Sequence, residues 1–275
     1  MNYRHAFHAG NFADCLKHAL LVWLQAALQR KPGAVFFLDT HAGIGQYDLE
    51  GSEAQRTGEY RMGIARLANP PLELADYVGL VDQLGLYPGS PALIRARMRP
   101  QDRLACCELH PEDATVLRRR FGRDAQVAVH ERDAWEALRA LLPPTPRDAL
   151  KRALVLIDPP FEAPDEFARL AEGLVRGHGR FPTGVFAAWY PIKHLAPPRG
   201  FHLALRQSGL RDIITAELWL REPLDASRLN GCGLAVINPP YGFEQAAEAI
   251  LAALLLRLGT GEPGEGFRVT RLVDE

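Results

Sequence analysis

No stretch of the 275 residues approaches the roughly 18 consecutive apolar positions of a membrane-spanning helix. Even AILAALLLRLG (249–259) is shorter and broken by an arginine, so it reads as an amphipathic or buried helix. The opening MNYRHAFHAGN is polar and has no apolar signal core, which leaves a soluble cytoplasmic protein as the expectation. Cysteine is scarce: Cys15, Cys106, Cys107 and Cys232 show no C-x-x-C spacing, which argues for reduced structural thiols over disulfides or a metal site. Adjacent Cys106 and Cys107, if in a strand, would face opposite ways. A net charge of −1 argues against a protein that coats nucleic acid through a broad basic face. Lysine occurs only at 17, 31, 151 and 193, so nearly all positive charge is arginine. The densest patch, RARMRPQDR (95–103), is either a solvated face or a local phosphate footprint. A P-loop lysine motif is missing, as is a full G-x-G-x-x-G, and no repeat or long linker occurs.

What remains is an alternation of strand and helix patterns. Asn11 suits the N-cap of a helix whose apolar positions 12, 16, 19, 20, 23, 24, 27 and 28 share one face, with Gly33 as terminator. AVFFLD (34–39), LACCE (104–108), QVAVH (126–130), ALVLI (153–157) and GVFAAWY (184–190) read as strands, most of them followed by helical segments. DIITAELWL (212–220) and LAVIN (234–238) lack a helix between them and predict an antiparallel edge pair. The class is therefore α/β, a doubly wound and mostly parallel sheet. Residues 49–103 lose this rhythm and read as a small, mostly helical insertion in a domain made of 1–48 and 104–275.

Open α/β sheets place ligands at the carboxyl ends of their strands. Those ends carry Asp39-Thr40-His41-Ala42-Gly43-Ile44-Gly45, then Glu108, then Asp133, then Asp158-Pro159-Pro160-Phe161. Glycines admit close backbone approach, and an acid ending the second strand suits the two hydroxyls of a ribose. A nucleoside site without phosphate-binding machinery fits S-adenosylmethionine, which leaves as S-adenosylhomocysteine. The rigid corner then has a use. An Asp158 carboxylate and a Pro159 carbonyl can accept both hydrogens of an exocyclic base amine and aim its lone pair at a sulfonium methyl, while Phe161 stacks on the base. A second corner, Asn238-Pro239-Pro240-Tyr241, nearly repeats the pattern. It would lie beyond the cofactor half, and Asn238 could still accept a hydrogen bond.

Six blocks, YRHAFHAGNFADCLKH (3–18), LDTHAGIGQYDL (38–49), YPGSP (87–91), CELHP (107–111), LIDPPFE (156–162) and NGCGLAVINPPY (230–241), together resemble the RlmJ-type bacterial 23S rRNA adenine-N6 methyltransferases. The resemblance implies a Rossmann-like class I methyltransferase fold with a helical insertion, S-adenosylmethionine as cofactor without a metal, and one adenine of 23S rRNA as target. It implies no obligate protein partner. It further implies that His18, His41 and Ser90 line the methionine end of the cofactor and that Lys17 meets its carboxylate. Gly43 lies in its binding loop, Glu108 holds its ribose, Asp133 with the Ala134 backbone holds its adenine, and Tyr3 meets the RNA. Two positions depart from the family pattern: Phe161 replaces a common tyrosine and Ala134 a common glycine. The histidines at 5, 8, 18 and 41 read as hydrogen-bonded or ligand-binding groups, not as a metal cluster. DNA adenine methylation, or RNA binding without transfer, are the alternative functions.

Overall fold

The computed structural model describes residues 4–145 and 150–275. Asn11 caps the first helix, α1 (Phe12–Gln29), as its side chain accepts from the Asp14 N–H at 3.0 Å. The chain then forms β1 (Phe36–Asp39), β2 (Gln46–Tyr47), α2 (Ser52–Thr57), α3 (Leu72–Leu84), β3 (Tyr87–Pro88) and α4 (Ser90–Arg97). Next come β4 (Arg103–Glu108), α5 (Pro111–Phe121), β5 (Val127–Glu131), α6 (Ala134–Ala140), β6 (Ala153–Ile157) and α7 (Glu166–Arg180). The last part holds β7 (Val185–Ile192), α8 (Ala196–Gln207), β8 (Ile213–Trp219), β9 (Gly231–Ile237), α9 (Phe243–Leu258) and β10 (Gly266–Val273).

Eight strands form one sheet in the order β10-β8-β9-β7-β6-β1-β4-β5. β1 lies between β4 and β6 and is parallel to both, so the chain leaves it in one direction and returns on its other side. That reversal opens the crevice in which doubly wound sheets bind ligands. This is the Rossmann-like class I methyltransferase arrangement, mostly parallel with antiparallel strands toward one side. The expected pair β8–β9 is antiparallel, but β9 is inserted between β7 and β8 and opposes both. The rim itself is β10, antiparallel to β8 and unforeseen from the sequence. Its residues are mostly exposed or half-buried, with arginines at 268 and 271, so no alternating apolar pattern announces it.

The strand patterns explain the two-sided core. Along β6, Leu154 and Leu156 pack with α1, α3, α4 and α9, while Ala153, Val155 and Ile157 pack with α6, α7 and α8. Phe37 joins the first side and Phe36 and Leu38 the second. A continuous apolar run is what a strand covered on both faces requires. Cys106 and Cys107 obey the same alternation, one per face, and all four thiols are free and buried. No described helix is long and apolar enough to cross a membrane. Between β2 and β4 the chain is mainly helical, although β2 and β3 pair as a small antiparallel sheet within it.

The arginine patch is structural. Arg99 donates to the carbonyls of Gln29, Lys31 and Gly33, at 3.1, 2.9 and 2.9 Å, and its guanidinium meets the Asp102 carboxylate at 3.0 Å. Asp102 is fully buried and also accepts from the N–H groups of Val35 and Arg99, both at 2.9 Å, and from Gln29 at 3.0 Å. Arg95 pairs with Asp124, Arg97 with Asp76 at 3.1 Å, and Arg103 donates to the carbonyls of Pro100 and Asp102. These bonds fasten the α1–β1 connection to the start of β4, at the amino end of the sheet. Four arginines close in sequence are thus engaged by the fold at the end opposite the crevice.

Burial pushes the Asp102 carboxyl up, but the hydrogen bonds from Arg99 and from backbone outweigh it and hold the group below its usual range. Asp102→Ala strands Arg99 and a buried N–H, so it should cost about 3 kcal/mol in urea unfolding at neutral pH. Because the folded-state pKa is depressed, that gap should shrink as pH falls through about 4 and below.

Candidate active site

The carboxyl ends of β1, β4, β5 and β6 open onto one cavity of about 1090 Å³. Lys17, His18, His41, Gly43, Ser90, Glu108, Asp133, Ala134, Asp158, Pro159 and Phe161 all line it. Tyr3 lies outside the described residues.

The loop after β1 is pinned to both neighbouring strands. The Thr40 N–H and hydroxyl donate to the Leu156 carbonyl at 3.1 and 2.9 Å, and the Ala42 N–H donates to the Cys107 carbonyl at 2.9 Å. Gly43 then turns with φ +57°, where a Cβ would fall 2.3 Å from the Tyr47 hydroxyl. Only glycine fits there, and its N–H donates to Glu108 Oε2 at 2.9 Å. Glu108 Oε1 accepts from the His110 N–H at 2.7 Å. Burial raises the Glu108 pKa above its usual value despite these backbone bonds. Each oxygen keeps acceptor capacity toward the cavity.

Asp133 is the N-cap of α6: its Oδ1 accepts from the N–H groups of Trp135 and Glu136 at 2.9 and 3.1 Å. The other oxygen makes no hydrogen bond among the described residues. Capping and ligand binding are therefore compatible in one carboxylate, each using its own atom.

His41 is half-buried, and loss of solvation pushes it down to about 4. Its Nδ1 lies 2.8 Å from the Thr40 hydroxyl oxygen and 3.2 Å from the Asp158 backbone nitrogen, which ties the ring to both strand ends. His18, pushed down to about 3 by burial, meets the Tyr87 hydroxyl through Nδ1 at 2.9 Å. Its Nε2 and the Asp39 Oδ2 are buried without a hydrogen-bond partner among the described residues. Ser90 opens α4, and its hydroxyl together with the His41 N–H favours the charged form of Asp39. Burial is the larger effect and pushes Asp39 up to about 6.

Lys17 is not free in this structure. Its ammonium lies 2.6 Å from Asp158 Oδ2 and 2.9 Å from Asp14 Oδ1. Burial alone would lower its pKa, but the two carboxylates outweigh that and raise it well above the usual range. Asp14 is the residue sequence reasoning missed. Besides Lys17, it takes the Gly10 N–H at 2.9 Å and His5 Nε2 at 3.0 Å. Burial pushes Asp14 up, yet His5, Lys17 and His18 together hold it well below the carboxylate range. An acid three residues before a buried lysine on one helix face was the available signal.

The corner after β6 carries an aromatic cluster. Phe161, held at φ +52°, has its ring centroid 4.7 Å from Phe167 and 5.9 Å from Trp189. The rival corner is elsewhere. β9 runs against β7, so Asn238 lies at the amino end of the sheet, where its side chain donates to the carbonyls of Pro182 and Gly184 at 2.7 and 2.8 Å. Tyr241 there is 96% exposed and outside the cavity. Among the described residues no group of three or more His, Cys, Asp or Glu is arranged to hold a metal.

The family described as RsmJ, ribosomal RNA large subunit methyltransferase D, RlmJ, matches residues 32–270. Ribosomal RNA large subunit methyltransferase J of Escherichia coli is 39% identical over 273 residues, 95% of this chain and 96% of its own. The protein of the same name from Haemophilus influenzae is 38% identical, with 95% and 96% covered. The crystal structure of protein LPL1258 from Legionella pneumophila superposes with a TM-score of 0.86 at 34% identity, covering 96% of this chain and 98% of that one.

Asp39 gives a pH test of the site. Its raised folded-state pKa means the native protein holds a proton that the unfolded chain releases near pH 4. The stability that Asp39 contributes therefore falls as pH rises from about 4 to 6, by on the order of 3 kcal/mol. Asp39→Asn should melt several degrees higher than the parent above pH 6, and the difference should close by about pH 4 in thermal scans.

Proposed function

Because the chain belongs to the RlmJ family of ribosomal RNA large-subunit methyltransferases, we propose that it methylates N6 of a single adenine in 23S rRNA. The observation that carries this reading is the acceptor corner Asp158-Pro159-Pro160-Phe161 opening onto the same cavity as Gly43, Glu108 and Asp133. S-adenosylmethionine, when bound, supplies an electrophilic methyl group on its sulfonium. The residues fit that cofactor. Glu108 offers a carboxylate for ribose hydroxyls, Asp133 an unused oxygen for the adenine amine, and the Ala134 backbone lies beside it. His18 Nε2 and Asp39 Oδ2, buried and unpartnered, suit the polar methionine end together with His41 and Ser90. Lys17 stands beside Asp158 instead of projecting into open space, so a role toward the cofactor carboxylate requires its ammonium to turn.

At the acceptor end, Asp158 and the Pro159 carbonyl hold the two N6 hydrogens and fix the lone pair in line with the transferred methyl. Two prolines remove the local backbone donors and stiffen the corner, so the acceptors need little reorganisation. The Lys17 ammonium occupies the position on Asp158 that the target amine would take. Asp14 keeps hold of that ammonium when the amine displaces it, so the lysine never loses its counter-charge. Phe161, with Trp189 beside it, offers a face for the extruded base, and the missing phenolic hydroxyl does not affect stacking.

Incubation with labelled cofactor and 23S rRNA, followed by digestion to nucleosides, should place the label on N6-methyladenosine alone. Label on another base, or preferential methylation of competing DNA, would overturn the reading. Asp158→Ala should lower the transfer rate by about a thousandfold while calorimetry still detects cofactor binding. Glu108→Ala should instead weaken cofactor binding by about tenfold or more.

A further inference from the structure

We propose that the β8–β9 connection, residues 220–230, is a preformed RNA-contacting element that holds the strand flanking the target adenine; this rests on the rRNA reading above. The loop borders the catalytic cavity, since Ser227 and Leu229 line it next to Trp189, Pro191 and Lys193. It has no regular secondary structure, yet it is tightly braced. Asn230, fully buried, donates from its amide to the carbonyls of Lys193 and Asp225, both at 2.7 Å. Asp225 accepts from the N–H and hydroxyl of Ser227 at 2.9 and 2.6 Å. Arg221 ties the base together through the Leu229 carbonyl at 3.1 Å and Glu262 at 3.2 Å. A loop already ordered loses little entropy on binding.

The braced loop puts an apolar side chain where folding gives no reason for one. Pro223 turns inward and is buried, whereas Leu224 beside it is 71% exposed. A base drawn out of a stack leaves a gap that proteins fill with an apolar wedge. The electrostatics point to the same face. The cavity's other charged lining includes Glu59, Asp113, Glu162 and Glu166, which repel a phosphate backbone. Of its three lining Lys and Arg residues, Lys17 is held by two carboxylates and Arg169 lies 3.7 Å from Glu166 and over the Trp135 ring. Lys193 makes no ion pair among the described residues, and its own carbonyl anchors the loop. Arg228, exposed on the loop, makes no ion pair among the described residues either, although the charge of Asp225 acts on it. The braced loop and the Lys193 that anchors it thus present two cations that make no ion pair among the described residues and one bare apolar group.

The test is binding of the full-length protein, loaded with S-adenosylhomocysteine, to a transcribed 23S rRNA fragment containing the methylated site, between 50 and 200 mM salt. Leu224→Asp is expected to weaken affinity by about tenfold, and Leu224→Ala by a smaller factor. The double variant Lys193→Ala/Arg228→Ala is expected to reduce the slope of log K against log salt by about 1.5. Calorimetric affinity for the cofactor should match the parent in all of them, which shows that the cavity is intact. Parent-like affinity and slope in every variant overturn the proposal. Parent-like binding of naked rRNA with impaired methylation of an assembling ribonucleoprotein also overturns it, because the loop would then read a protein. Failure of the parent itself to bind the rRNA would instead overturn the proposed function.

Discussion

One ammonium group joins the first helix to the cavity end of the sheet. Lys17 projects from α1, and its charge is shared between Asp14 on the same helix and Asp158 at the tip of β6. Without it, two carboxylates would share this end of the sheet with no counter-charge between them. With it, the helix is keyed to the sheet at the one strand end where chemistry is expected. The same Asp14 receives the Gly10 N–H and His5, so the segment leading into α1 is oriented by the same charge balance. A buried cation between two anions is more than a local bond, since removing any member leaves the remaining charges unpaired.

Strand direction, not motif, decides which proline corner opens onto the cavity. Two nearly identical sequences end β6 and β9, and both begin with a residue able to accept a hydrogen bond. β9 opposes its neighbours, so its corner is delivered to the far end of the sheet, where Asn238 closes the turn before β7. The left-handed backbone at both Phe161 and Asn238 shows that such strained positions are not by themselves markers of a site.

Much of this was legible because the physics is local. Runs such as LVLI suit a strand covered on both faces, and Asn11 before an apolar periodicity has one main use. The order of acids and glycines at strand ends followed once the strands were placed. What escaped the sequence depended on distant partners. β10 carries no alternating pattern because it lies at the rim, and nothing local tells an arginine facing a phosphate from Arg99 filling a turn seventy residues away. Asp14 is locally only an acid in the first turn of α1, and what it does depends on His5, Lys17 and, through Lys17, Asp158. The roles of Tyr3 and of the individual cofactor-lining side chains came from family likeness, and the placement of the lining residues around one cavity is compatible with it.

The neighbouring thiols of β4 have a practical consequence. Cys106 and Cys107 are adjacent in the chain but sealed under different helical layers, and burial raises both pKa values, Cys107 to about 12. Neither can react with an alkylating reagent until the layer above it lifts, so each sulfur is a native reporter of a different opening event. The two sides of the sheet can therefore be timed separately without introducing any probe.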